Sequence, residues 1–160
     1  MVPAMLLAVL WGCEDDVALT VPTAEEIEER YSYGGNWSAE MSGNVGVLLI
    51  TRTPQEVRSE GGTWLKATPY IFIFSRETQE LFEEFPGLAA VRAVLLTTTG
   101  DTVARAMLPR DTLNELTWRR ALNVSGLARR DATEEPGRMV DLVRYGEDNT
   151  EFEYNRDFIR

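Results

Sequence analysis

Residues 91–108 have the sequence VRAVLLTTTGDTVARAML, and the predicted fold class follows largely from this stretch. Two apolar runs, Val91 to Thr98 and Thr102 to Leu108, flank the turn residues Thr99-Gly100-Asp101. Short runs rich in Val, Leu and Thr, separated by a few residues that include Gly, are typical of a β-hairpin. We therefore predict two antiparallel strands here and interpret the neighbouring segments outward from them.

Strand patterns also occur before and after this hairpin. Apolar and polar residues alternate over residues 37–42, as on a half-buried strand, and residues 45–51 form a continuous apolar run that suits a buried strand. Residues 152–154 carry two aromatic side chains at period-two spacing, which predicts a last short strand.

Aromatic residues are frequent in the segment that follows the buried strand. Residues 54–61 are predicted to form a loop and residues 63–74 another strand, with Pro69 at a bulge or an edge. If the aromatic side chains share an open sheet face, they line a groove for a hydrophobic ligand, whereas the alternative is that they belong to the core. These residues are Trp37, Trp64, Tyr70, Phe72 and Phe74.

Helix signals fall between and after the strands. Thr23 and Glu26 are spaced as a capping box, as are Thr112 and Glu115, and Pro86-Gly87 stops a shorter helix. The predicted helices start near Thr23, Ser75, Thr112 and Thr133 and end near Tyr31, Phe85, Arg130 and Gly146. Because the strands cluster rather than alternate with helices, we predict an α+β fold with a mostly antiparallel sheet and helices packed mainly on one face.

Composition excludes several functional classes. The chain has 160 residues, 44% of them hydrophobic, which is typical of one folded domain. It has no His, which excludes Ser-His-Asp and Cys-His catalysis, and its one Cys excludes an internal disulfide framework. The net charge of −10 argues against nucleic acid as the main partner, because phosphate binding needs a basic surface.

The N-terminus carries the most specific motif. Residues 1–11 contain no charge, and the acidic residues Glu14-Asp15-Asp16 follow immediately after Gly12-Cys13. The run is shorter than the about 20 residues that span a bilayer, but it suits the apolar region of a secretory signal. The sequence Leu10-Trp11-Gly12-Cys13 resembles the lipobox of bacterial lipoproteins.

This resemblance implies cleavage after Gly12 and lipidation of Cys13, with a diacylglycerol thioether on the sulfur and an acylated amine. Residues 1–12 are then a signal peptide, whose missing basic residues a start codon further upstream would supply. Residues 13–22 are the lipidated Cys and an acidic tether, and residues 23–160 are a single α+β domain. The alternative is an apolar N-terminal strand or helix with an ordinary buried Cys.

The basic residues of the C-terminal half suggest a candidate anion site. Six Arg lie between Ala104 and Arg130, whereas residues 131–153 contain eight acids. Arg119 and Arg120 are candidate anion-binding residues beside Trp118, which should be buried on a stripe with Ala121 and Leu122 against the sheet. The alternative is two helices of complementary charge, with Glu135 or Asp141 pairing one of these Arg.

No catalytic or metal site is predicted. Residues 146–151 are rich in oxygen ligands but lack the spacing of an EF-hand loop, and a turn between a helix end and a strand is the favoured explanation for them. The chain lacks a P-loop, a dinucleotide fingerprint, a nucleophile elbow and the common zinc motifs. No cofactor is expected.

The sequence thus favours a lipid-anchored lipoprotein on the periplasmic side of the bacterial envelope, with a non-catalytic binding or structural role. Its partners would be the membrane, through Cys13, and a protein or another envelope component. Two alternatives stay open. One is an extracytoplasmic hydrolase that uses carboxylates, and the other is a cytosolic globular domain.

Overall fold

The computed structural model describes residues 19–159, which form six α-helices and a five-stranded sheet. The strands are β1 (Trp37–Ser42), β2 (Val45–Arg52), β3 (Ala90–Thr97), β4 (Thr102–Pro109) and β5 (Glu151–Tyr154). The helices are α1 (Ala24–Arg30), α2 (Pro54–Ser59), α3 (Gly62–Ile73), α4 (Arg76–Glu84), α5 (Glu115–Asp131) and α6 (Gly137–Asn149). The prediction of an α+β fold with a mostly antiparallel sheet is confirmed.

The strands lie in the sheet in chain order, from β1 to β5. Neighbouring strands are antiparallel except for β2 and β3, which are parallel and are connected through α2, α3 and α4. The hairpin predicted from residues 91–108 is β3 and β4. Its turn closes with a hydrogen bond from the Thr97 amide to the Asp101 carbonyl, and Gly100 takes the positive φ of 94° that the turn requires.

The helices pack on one face of the sheet, and α3 is the central one. It lies against β3 and β4 on one side and contacts α6 and α5 on the others. The sheet contributes Leu48, Ile50, Val91, Ala93 and Leu95 to this core, and all five are buried. A helix surrounded in this way loses its polar face, because almost every side becomes interior.

This position explains why residues 63–73 are helical and not a strand, contrary to the prediction. Tyr70, Phe72 and Phe74 alternate along the sequence, but the intervening Ile73 is fully buried as well. Pro69 lies inside α3, where it removes one backbone hydrogen bond, so it marks neither a bulge nor an edge strand.

Three other boundaries differ from prediction. The segment predicted as a loop at residues 54–61 contains α2, which begins with a capping box between Thr53 and Glu56. The cap of α5 is Asn114, bonded reciprocally with Thr117, and not Thr112. Helix α6 begins at Gly137 and continues through Gly146 to Asn149.

Residues 19–22, the last of the predicted tether, run along the domain surface. The Gly87 amide donates a 2.7 Å hydrogen bond to the Thr20 carbonyl, and Pro22 is buried ahead of α1. Leu19 keeps 71% of its surface exposed. Within residues 19–159, no helix has the length and hydrophobicity that crossing a membrane requires.

Candidate functional site

The six Arg between residues 104 and 130 do not converge on one site. Each contacts a different group: Arg105 contacts Glu153, Arg110 contacts backbone carbonyls, Arg119 contacts Glu115, Arg120 and Arg129 contact the rings of Tyr145 and Tyr33, and Arg130 contacts Asp131. Most of these Arg side chains therefore make separate contacts within the domain and do not form a shared binding site.

Arg110 has a structural role at the end of α4. Its guanidinium donates hydrogen bonds to the carbonyls of Phe82 and Phe85, and its Nε donates a 2.7 Å bond to the Leu88 carbonyl. The last carbonyls of a helix have no partner within the helix, so a cation at this position satisfies them. The Phe82 ring lies 5.2 Å below the guanidinium.

Arg120 is the one predicted anion-binding residue that lines a concave surface. It belongs to a groove of about 340 Å³ between α5 and α6, which we call the α5–α6 groove. Its guanidinium lies 5.4 Å from the centre of the Tyr145 ring, within the range of a cation–π contact. The lining residues are Arg120, Asn123, Val124, Leu127, Arg138, Asp141, Arg144, Tyr145 and Asp148.

Arg119 lies outside this groove. It points away from Arg120, as neighbours on a helix must, and its Nη2 lies 3.7 Å from Glu115 in an exposed pair. Trp118 is buried as predicted, but it packs edge-on against Phe82, and α5 lies chiefly against α6 and α3 and not against the sheet. The two Arg therefore do not form one site.

The α5–α6 groove carries both signs of charge. Arg120, Arg138 and Arg144 face Asp141 and Asp148. The Glu135 carboxylate pairs with Arg138 at 3.0 Å, so it does not pair with Arg119 or Arg120 as predicted, and neither of those two pairs with Asp141. The floor is Tyr145, whose hydroxyl donates a 2.7 Å hydrogen bond to the Thr117 carbonyl.

Of the α6 residues that line this groove, only Asp141 was named from the sequence, as a pairing partner for Arg119 or Arg120. Arg138, Asp141, Arg144 and Asp148 recur at intervals of three or four residues, which places them on one side of a helix. This spacing is the feature of the sequence that could have indicated a shared charged side of α6. Only the packing of α6 against α5 shows that this side faces Arg120.

A second polar cluster lies where α3 meets β5. The hydroxyls of Tyr70 and Tyr154 are 2.7 Å apart, and Lys66 Nζ lies 5.0 Å from the centre of the Tyr154 ring. Burial raises the pKa of Tyr70 to about 12, and burial together with the Tyr70 hydrogen bond raises the pKa of Tyr154 further. Both hydroxyls are therefore protonated, hydrogen-bonding groups near neutral pH.

The aromatic residues of the predicted ligand groove are mostly core. Tyr70 and Phe72 are buried on α3, Phe74 is buried directly after it, and Trp37 packs edge-on against Phe72 at 6.1 Å. Trp37 is half-buried, and Trp64, which is 40% exposed, is the most exposed of the five. The core alternative is therefore correct, and these side chains do not share an open sheet face.

The acidic segment at residues 146–151 is the end of α6 and the start of β5. Across residues 19–159, no group of three or more Asp, Glu, His or Cys is placed to hold a metal ion. Gly12 and Cys13 lie outside the described residues, so cleavage and lipidation there stay predictions.

The protein is thus an α+β domain whose helical layer contains a charged groove. No protein-family model, curated protein or solved structure shows significant similarity to this chain.

Proposed function

We propose that this protein is a lipid-anchored, extracytoplasmic lipoprotein of the bacterial envelope with a non-catalytic binding role. The sequence Leu10-Trp11-Gly12-Cys13 supports the anchor, because the lone Cys stands where an apolar run changes to an acidic one. The segment that leads into α1 lies on the domain surface, where the Gly87 amide donates a hydrogen bond to the Thr20 carbonyl. A tether of a few residues would then separate Cys13 from the domain.

The α5–α6 groove supports the binding role. It combines Arg120 and Arg144 with apolar lining that includes Val124 and Leu127. Neither Arg forms a salt bridge among residues 19–159. An anionic group of a partner, a carboxylate or a phosphate, would find charge-assisted donors there. We propose this groove as the site for the envelope partner.

Mass spectrometry of the protein, expressed from its natural start in a bacterium, tests the anchor. We expect the mature chain to begin at Cys13, to carry a thioether-linked diacylglycerol and an acylated amine, and to partition into a detergent phase. In Cys13→Ser the hydroxyl cannot form the thioether, so we expect this variant to lack the lipid and to partition into the aqueous phase.

A displaced thiol provides the matched control. In Cys13→Ser combined with Ser59→Cys, the chain again has one Cys, now on the exposed end of α2. The lipid should not follow it, because the peptidase and transferase read the N-terminal sequence. A wild-type chain that keeps Met1 and a free Cys13 thiol would refute the anchor and favour the cytosolic alternative.

Titration of inorganic phosphate and acetate, followed by NMR, tests the groove. We expect amide shifts on α5 and α6, and a loss of affinity of at least about tenfold in Arg120→Ala, because a hydrogen bond to a charged group is lost. Arg119→Ala is the control, since that side chain pairs with Glu115 outside the groove, and its affinity should stay within about twofold. Equal losses in both variants would show that only net charge matters.

A further inference from the structure

The sheet has a second face that no helix among residues 19–159 covers. Alternate residues of β2 and β3 point away from the helices, and we call their surface the open face. Val47 and Ala90 on this face are buried, yet neither belongs to the core under the helices. Its apolar residues are Val45, Val47 and Leu49 of β2 and Ala90, Val94 and Leu96 of β3.

The composition of the strands is typical of a sheet face that is covered, and in the single chain the apolar residues of this face other than Val47 and Ala90 are only half-buried. The sequences VGVLLITR of β2 and AVRAVLLT of β3 are apolar on both sides, which is typical of strands buried on both faces. The outer strands differ, because β1 exposes Ser38, Glu40 and Ser42 on the same side, and β5 exposes Glu151 and Glu153. The apolar part is therefore a patch with a polar rim.

The charges of the open face form an ordered row. Glu40, Val47, Arg92, Met107 and Glu151 are register neighbours across the five strands, so their side chains lie beside one another. Arg92 Nη2 lies 3.4 Å from the Met107 sulfur. Among residues 19–159, neither Glu40 nor Arg92 has a salt-bridge partner. They lie one strand to either side of Val47.

We propose that a second copy of this chain covers the open face, with a two-fold axis that runs parallel to the strands over β2. This axis sets β2 against β2, so that Val45, Val47 and Leu49 of the two copies meet. It also sets β1 against β3 at the same level along the strands. Glu40 then faces Arg92 of the partner subunit, and the symmetry makes this contact twice.

Other axes parallel to the strands match the charges less well. An axis over β3 sets Arg92 against its own copy, and an axis between β2 and β3 sets Arg92 against Val47. An axis over β4 pairs Arg92 with Glu151, but it also sets Arg105 against its own copy and leaves β2 uncovered. Packed sheets are rotated by about 30°, which displaces strands next to the axis by only a few ångströms, within reach of Glu and Arg.

The area of the proposed contact between the two copies indicates the protein concentration at which the dimer should form. Three overlapping strands of six to eight residues cover roughly 15 Å by 25 Å on each copy, or about 750 Å² in total, which is less than stable specific interfaces bury. We therefore expect a weak dimer that forms only at high protein concentration. A two-fold rotation about an axis parallel to the strands does not change the position of a residue along the strand direction. The Leu19 residues of the two copies therefore lie at the same end of the dimer. That arrangement is compatible with two anchors in one membrane but does not depend on it.

Sedimentation velocity of the full chain tests the dimer. Cys13→Ser serves as the background so that neither lipid nor an intermolecular disulfide contributes, and a non-ionic detergent keeps residues 2–11 from associating. Glu40→Arg and Arg92→Glu each create two like-charge contacts across the interface. We expect each variant to raise the dissociation constant at least about tenfold. An equimolar mixture of the two variants should dimerise again, because the mixed dimer contains one original and one charge-reversed pair, and both pairs attract.

Glu151→Arg is the matched control, since it reverses an acid of the same row outside the proposed contact. It should dimerise like the background, and circular dichroism should show that all three variants are folded. A background that stays monomeric at every accessible concentration would overturn the proposal. So would a dimer insensitive to Glu40→Arg and Arg92→Glu, or one that Glu151→Arg disrupts.

Discussion

At the scale of single residues, Gly146 shows how one missing side chain fixes the packing of two helices. It lies inside α6, where the Tyr70 ring of α3 approaches it so closely that a Cβ would come within 2.4 Å of a ring carbon. Tyr70 is fully buried, so the ring has no room to move away. At Gly126, inside α5, the same position has no heavy atom within 4 Å apart from the nearby backbone of its own helix and the residues next to it in the chain.

These two glycines should respond in opposite directions to the same substitution. Ala is the better helix former by about 1 kcal/mol, so Gly126→Ala should stabilise the protein by up to that amount. In Gly146→Ala the clash with Tyr70 should exceed this gain, because overpacking a dense core costs about 1–3 kcal/mol. Chemical denaturation of both variants measures the difference. A stabilised Gly146→Ala would mean that α6 can shift away from α3.

At the scale of elements, local signals and tertiary contacts determine different parts of the fold. The hairpin at β3 and β4, the buried strand β2 and the capping box of α1 were predictable, because each depends on residues close in sequence. Helix α3 was not, because its neighbours bury it on nearly every side and the helical period disappears. The prediction that a helix ends at Gly146 was wrong because Gly is required there by the Tyr70 ring of α3. Residues close to Gly146 in the sequence do not reveal that contact.

The candidate groove shows the same division at the level of its residues. Arg120 was identified from its place beside Trp118, whereas Arg138, Arg144 and Tyr145 were not. Pairing between Arg119 or Arg120 and the acids of α6 was also wrong, because Glu115 lies one helical turn from Arg119 and Glu135 lies next to Arg138. In both cases the charged side chain pairs with a residue three or four positions away and not with one on the other helix. The sequence alone does not show which of several possible ion pairs forms.

At the scale of the whole molecule, the titration behaviour depends on tyrosine. The chain contains no His, so it lacks the side chain that most often titrates near neutral pH. All five Tyr have a pKa raised above the ordinary value, and burial is the largest cause for each. They are Tyr31, Tyr33, Tyr70, Tyr145 and Tyr154. Burial disfavours the charged tyrosinate, so the folded chain holds these protons more tightly than the unfolded chain.

The free energy of unfolding should therefore fall at alkaline pH. Below pH 10, the ordinary Tyr pKa, both the folded and the unfolded chain are protonated, and the stabilisation is fully present. Between pH 10 and about 12, the value for Tyr70, the unfolded chain has lost protons that the folded chain keeps, so stability falls as the pH rises. Tyr31 and Tyr154, whose pKa values are raised further, extend this loss to higher pH.

Denaturation curves at a series of alkaline pH values, read beside the ultraviolet absorbance of tyrosinate, measure this effect. Tyrosinate should appear together with cooperative unfolding and not before it, since the native hydroxyls resist ionisation. In Tyr70→Phe one titrating group is removed, so the slope of stability against pH should decrease by up to one proton. If native protein instead forms five tyrosinates near pH 10 with its circular dichroism unchanged, these rings are open to water and the burial that raises their pKa values is absent.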